Sequence, residues 1–141
     1  MLFRVADLER NKAVTRAMYE DIWRDRRFAR IDEIIGPDFV LHVWGDDVGR
    51  DAVGYAFEHV WLSAFPDLSV EVHLQVAEGD LVADHLTFKG THTGEPFHGI
   101  PPSGAQFSFT QTTISRIEDG MIAEVWEDLD WHGLLRALGG D

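Results

Sequence analysis

Residues 69–91 read Ser-Val-Glu-Val-His-Leu-Gln-Val-Ala-Glu-Gly-Asp-Leu-Val-Ala-Asp-His-Leu-Thr-Phe-Lys-Gly-Thr, and this stretch decides the fold class. Val70, Val72, Leu74 and Val76 alternate with Glu71, His73 and Gln75, the period of two that marks a half-buried strand. Glu78-Gly79-Asp80 turns the chain and Leu81 to Thr91 returns. With Ala77 opposite Leu81, His73 and His85 face each other across this hairpin in a structural role. A second hairpin follows: residues 106–117, the turn Glu118-Asp119-Gly120, and Met121 to Leu129.

Before residue 65 the period is helical. Val14, Ala17, Met18 and Ile22 share one face of a helix over 8–24. Phe28, Ile31, Ile34 and Ile35 do so over 28–35, where Gly36-Pro37 stops the helix. Asp38 to Trp44 is a short strand, and residues 45–49 form a turn-rich loop. Asp51 opens a helix that carries Val53, Phe57, Val60, Trp61 and Ala64. Trp131, Leu134, Leu135 and Leu138 mark a last short helix, capped by Asp130. The layout is α+β: one curved, mostly antiparallel sheet with helices on one face, a cone with a cavity at its open end.

The 141 residues suit a single domain, 1–141. Twelve Lys and Arg against 25 Asp and Glu give a formal charge of −13, which disfavours nucleic acid and anionic membrane as partners. No cysteine is present, which removes disulfides, thiolate metal sites and cysteine nucleophiles. No leader or membrane span is read, so the expected location is cytoplasmic. The seven histidines show no metal-ligand spacing, and neither metal nor cofactor is expected.

Residues 90–104, Gly-Thr-His-Thr-Gly-Glu-Pro-Phe-His-Gly-Ile-Pro-Pro-Ser-Gly, are too rich in Gly and Pro for a regular element. Phe97, Ile100 and the stiff Pro101-Pro102 pair point to an ordered, packed loop. Phe65-Pro66-Asp67, Gly90-Thr91-His92-Thr93-Gly94, Gly99 to Gly104, Asp119-Gly120 and the strand Glu124-Val125-Trp126-Glu127-Asp128-Leu129-Asp130 follow one another in a set order. In this order and spacing the chain, over residues 10–139, resembles the SnoaL-like polyketide cyclase family. The resemblance implies the nuclear transport factor 2-like cone and cofactor-free ring closure by intramolecular aldol condensation, or a relative of it. It also puts Glu127 at the position of the family's acid/base aspartate. Two departures stand out: glutamate replaces that aspartate, and Ser103 stands where the family has threonine.

The strand pattern singles out Glu127 independently. Ala123, Val125, Glu127 and Leu129 share one face, and Glu124, Trp126 and Asp128 the other. Glu127 is thus the one acid on an apolar face, where its pKa should rise above the ordinary ~4.3. With Ile117 opposite Met121, Gln111 would face Glu127. His92 and His98 are expected at the cone mouth. His42 and Trp44 stand at the end of the first strand, and Tyr19 and Trp61 are candidates for an aromatic wall, although core packing explains them equally well.

The expected function is a carboxylate-driven cyclase or isomerase acting on a hydrophobic carbonyl compound. The rival is a non-catalytic binding domain of the same shape. An epoxide hydrolase-like set would need an arginine in the cone, and the strands of the sheet offer only Arg116. Trp126 and Ile114 fall on the outer sheet face, too apolar for a wholly wet surface, so a homodimer or higher oligomer through that face is expected.

Overall fold

The computed structural model describes residues 4–140. Residues 1–3 and 141, the ends of the expected domain, lie outside the described residues. Helix α1 (residues 5–24) runs Val5–Ala17 and widens into a π-type turn over Met18–Arg24. Helix α2 (residues 28–34) is short. Helix α3 (residues 50–64) contains a second wide turn, Phe57–Trp61. The strands are β1 Ile35–Val43, β2 Asp46–Gly49, β3 Ser69–Glu78, β4 Leu81–Thr91, β5 Gln106–Glu118 and β6 Met121–Leu129, followed by α4 Trp131–Ala137.

The six strands form one sheet in the order β2-β1-β6-β5-β4-β3. Every neighbouring pair is antiparallel except β1 with β6. Both long hairpins are antiparallel, as their periodicity requires. Met18, Tyr19, Ile22 and Trp23 of α1 and Val53 and Phe57 of α3 share one buried cluster with Val82, Leu86, Phe88, Ile117 and Val125 of the sheet. Both helices therefore cover the same face, and the α+β cone follows. Among the described residues no helix is long and apolar enough to cross a membrane.

The structure corrects five local expectations. Gly36-Pro37 lies inside β1 and does not stop a helix; pairing with β6 is irregular between Ile35 and Val40, where Pro37 is exposed and a missing N–H is tolerated. The expected loop 45–49 contains β2, because Trp44-Gly45 closes a two-residue hairpin with φ of 52° and 80°. In β3 the alternation breaks. A bulge between Val72 and Leu74 turns Leu74 and Val76 outward (55% and 59% exposed) and brings Gln75 inward. The physical reason is polar: Gln75 Nε2 donates to Asp84 Oδ1 at 2.7 Å, and Asp84 is wholly buried. Glu78, not Ala77, faces Leu81, yet the bulge still brings the His73 and His85 rings to 5.8 Å. In the second hairpin Glu118 faces Met121, and a register shift between Arg116 and Ile117 sets Thr113 opposite Glu127 and Gln111 opposite Leu129.

The Gly/Pro loop is ordered, as read. His92 N donates to Ala105 O and Gly104 N to His92 O, closing its base. Gly94 N and Glu95 N donate to Ala64 O and Ser63 O, tying it to the end of α3. A Cβ on Gly94 would meet Ser63 O at 1.9 Å, a backbone clash that no side-chain motion relieves. Gly94→Ala is therefore expected to lose about 2 kcal/mol or more of stability, while Gly49→Ala, with open space and φ −84°, stays within about 0.5 kcal/mol. Thermal melts of the two variants check this. An unchanged Gly94→Ala melt would mean that the loop is not held to the helix end.

Candidate functional site

The curled sheet does not close on its helices. Between them lies a cavity of about 240 Å³. Trp23, Phe57 and Trp61 line it from the two helices, at the wide turns where successive aromatic side chains are re-aimed. Leu41 and Val43 of β1, Phe88 of β4, and Phe109 and Gln111 of β5 continue the wall. Glu127 and Leu129 of β6 complete it.

The rim is built from two tight turns and a helix start. Trp44 and His98 each sit at positive φ (52° and 48°) ahead of a glycine, Gly45 and Gly99. Both residues of a type I′ turn need positive φ, and a tryptophan or histidine there is unusual. Phe97 and Ile100 exchange backbone hydrogen bonds at 2.9 and 3.0 Å to close the second turn. The Trp44 and His98 rings both lean on Trp131, at 4.6 and 4.9 Å between centroids. Asp130 caps α4 by accepting from Gly133 N at 2.9 Å, which fixes Trp131 in the first turn.

Glu127 is the one carboxyl among the lining residues described. Its strand face is the one read from the sequence, with Val125 buried on the same side and Trp126 and Asp128 exposed on the other. Burial pushes its carboxyl up to about 7, and a hydrogen bond from the Gln111 side chain opposes that rise only in part. Gln111 is itself buried and held, its Nε2 donating to Thr113 Oγ1 at 2.8 Å. The result is a titratable group half ionised near neutrality, in an aromatic chamber with an amide beside it.

Of the residues singled out by sequence, the structure brings Glu127, Gln111, His98, Trp44 and Trp61 to this cavity. Three fall elsewhere. Tyr19 is buried behind the wall, with its hydroxyl near Thr113. His92 is buried at the base of the loop, where its ring sits 2.8 Å from Glu95 O and packs edge-on to Phe65. It anchors the loop and does not line the chamber. His42 lies on the outer sheet face, stacked on Trp126, with its nitrogens 2.6 Å from Glu124 and 2.7 Å from Asp47. Strand parity explains this: His42 pairs with Trp126, whose side chain points away from Glu127. Arg116 pairs with Glu118 and Glu124 and is not among the lining residues.

Sequence reasoning missed Trp131 as a cavity residue. Its signal was present, since an aromatic one residue after a capping acid must lie at the helix start, beside the strand that carries Glu127. It also missed Phe109, whose alternation with Gln111 on β5 places both on the inner face.

None of the curated proteins matches the chain. Among solved structures it is similar to AclR, a proposed hydroxylase from Streptomyces galilaeus, at 32% identity and a TM-score of 0.82, over 94% of this chain and 97% of that one. It is similar to IdmH, a proposed polyketide cyclase from Streptomyces antibioticus, at 29% identity and a TM-score of 0.79, over 92% and 98%. A SnoaL-like protein from a Jannaschia species shares the fold at a TM-score of 0.87 and 24% identity, over 100% and 99%. The family model for SnoaL-like polyketide cyclases matches residues 13–138, and with the cone and its inward carboxyl in place the chain belongs to that family.

Proposed function

We propose that the protein is a cofactor-free cyclase of polyketide-like carbonyl compounds, with Glu127 as its acid/base. The observation that carries this reading is a single carboxyl, raised to about 7, on the wall of an aromatic cavity. The Glu127 carboxylate takes a proton from the carbon between two electron-withdrawing groups. The enolate attacks a second carbonyl carbon of the same molecule and forms the ring carbon–carbon bond. The protonated Glu127 then returns its proton to the new alkoxide, so no net proton is consumed. His98 offers a ring N–H donor for the enolate oxygen, and Trp44 and Trp61 offer flat faces to an aromatic substrate. At about 240 Å³ the chamber is smaller than the usual drug-sized pocket, so it receives the reacting end of the substrate and the rest passes the Trp44–His98 rim. AclR is described as a hydroxylase, which favours one second reading: oxidation at the same carbon. A hydroxylation consumes an oxidant and a ring closure does not, so oxygen uptake during turnover separates the two.

The outer sheet face is assigned to a second copy of the chain. Val76, Ala83, Ile114 and Trp126 stand in one register row across β3, β4, β5 and β6. Ile114 and Trp126 are 41% and 40% exposed, an apolar stripe that a two-fold contact would cover.

Three outcomes are expected. In a turnover assay on a panel of aryl and polyketide-like ketones, kcat/KM should rise with pH to a midpoint near 7, and Glu127→Gln should lose roughly 10²–10⁴-fold. Full activity in that variant would remove Glu127 from the mechanism. The second outcome concerns stability. The folded pKa of about 7 lies above the unfolded value near 4.5, so the stability linked to protonated Glu127 is complete below pH 4.5 and is lost as pH rises through 7. Glu127→Gln should therefore match the wild type in acid and melt higher above pH 7. The gain is at most ~3 kcal/mol, because the cavity carboxyl keeps some water contact. Equal melts at pH 8 would contradict the burial. Third, light scattering at tens of micromolar should give a dimer for the wild type and a monomer for Trp126→Glu; a monomeric wild type would refute the assembly.

A further inference from the structure

One polar row crosses the inner face of the sheet from edge strand to cavity. Its Cα pairing runs Gln75–Asp84–Thr113–Glu127 over β3, β4, β5 and β6. Only the last of these lines the cavity. Asp84 and Thr113 are fully buried, and so, to within 2%, is Tyr19 of α1. Asp84 Oδ1 accepts from Gln75 Nε2 at 2.7 Å and from Thr15 Oγ1 at 3.4 Å. Gln75 Oε1 accepts from Arg16 Nε at 3.2 Å, which carries the row out to solvent. At the other end Gln111 Nε2 donates to Thr113 Oγ1.

Two buried oxygens in the middle of this row lack a hydrogen-bond partner: Asp84 Oδ2 and the Tyr19 hydroxyl. Both belong beside Thr113. Asp84 is its register partner, and the Tyr19 hydroxyl lies next to its side chain, within the fields of Asp84 and Glu127. A buried polar atom without a partner is rare and costs about 1–3 kcal/mol. A carboxylate oxygen only accepts, while a phenol can donate, so the two orphans are complementary.

We propose that Tyr19 and Asp84 form a buried donor–acceptor pair, bridged by one water, that sets the direction of the whole row and so positions the Gln111 amide against Glu127. The direction follows from the inventory of donors. The Asp84 carboxylate draws the Tyr19 O–H toward itself. The Tyr19 oxygen is then free to accept the Thr113 O–H. Thr113 Oγ1 keeps its lone pairs for Gln111 Nε2, as observed, and the second Nε2 hydrogen is left for the Glu127 carboxylate. Tyr19 and Asp84 are positioning residues; neither lines the cavity.

The catalytic meaning of the pair rests on the reading of Glu127 above, but its existence is tested without turnover. His98 from the loop lines the same cavity as Glu127, Tyr19 of α1 lies within the fields of both Glu127 and Asp84, and Arg16 of α1 faces Asp84. The experiment is a carboxyl-carbon NMR titration of protein labelled at glutamate, with the Glu127 signal assigned by its loss in Glu127→Gln. Tyr19→Phe changes no charge and almost no volume. It should raise the Glu127 midpoint by roughly half a pH unit or more, the effect of weakening one hydrogen bond to a carboxylate. Thr113→Val, which breaks the row one step nearer, should do the same. Combining Tyr19→Phe with Asp84→Asn should shift the midpoint differently from the sum of the two single shifts. If Asp84→Asn does not fold, the first two variants decide. A Glu127 midpoint unchanged in both, or strict additivity in the double variant, overturns the pair. A raised midpoint in a protein that turns over no ketone would uphold the pair and count against the cyclase reading alone.

Discussion

An apolar chamber inside a small protein persists only if its walls cannot collapse onto each other. Here rigid rings and tight backbone turns hold them apart. Trp23 meets Phe57 at 4.3 Å, Trp61 meets Phe97 at 5.1 Å and Phe88 stacks on Phe109 at 5.4 Å, so each wall is a braced set of planes. Such side chains lack the short rotamer steps by which aliphatic residues fill a void. Bulges in β3 and β6 bend the sheet around this chamber, and the loop tied to Ser63 and Ala64 fixes one side of its rim. The Trp44-Gly45 and His98-Gly99 turns then lay two more rings against Trp131.

Electrostatics follows from that shape. A carboxyl on the wall of such a chamber loses water and gains little in return, which is why Glu127 moves up while half-buried Glu124, paired with His42 and Arg116, moves down. The two residues are three apart on one strand, and a register shift lies between this part of β6 and its start. Strand parity sends one into the chamber and the other onto the outer face, and environment alone then separates their chemistry.

The architecture was legible in the sequence because the decisive signals were periodic and local. Two runs of period two, each folded on a Gly turn, fixed the antiparallel hairpins, and helical spacing at Val14–Ile22 and Val53–Ala64 fixed what covers them. The inward face of Glu127 was legible for the same reason. What periodicity could not carry was any one-residue departure from it. The bulge at His73 reversed Leu74, Gln75 and Val76, and a turn one residue tighter together with the shift near Ala123 exchanged Gln111 for Thr113 as the residue opposite Glu127. Trp44 and His98 hid their turns because tryptophan and histidine rarely accept positive φ, whereas Asp119-Gly120 announced its own. His92 and His42 misled by type: a histidine in a loop or at a strand end suggests a ligand, and only three-dimensional placement shows one locked to Glu95 and the other turned outward.

The glutamate that the resemblance sets in place of the family's aspartate fits this account of the wall. Across the sheet Glu127 faces Thr113, a short residue that lies beneath Tyr19, while the amide that touches it comes from Gln111, one diagonal step away. A carboxyl one methylene longer leaves the strand at the same Cα and spans more of that diagonal. The longer arm also has an extra rotatable bond, and a flexible acid in a water-poor chamber holds its geometry only if a partner fixes it. Gln111, itself pinned to Thr113 at 2.8 Å, is that partner. The substitution and the polar row behind it are therefore one arrangement: the length of the acid sets the need for an external hold, and the buried row on the inner face supplies it.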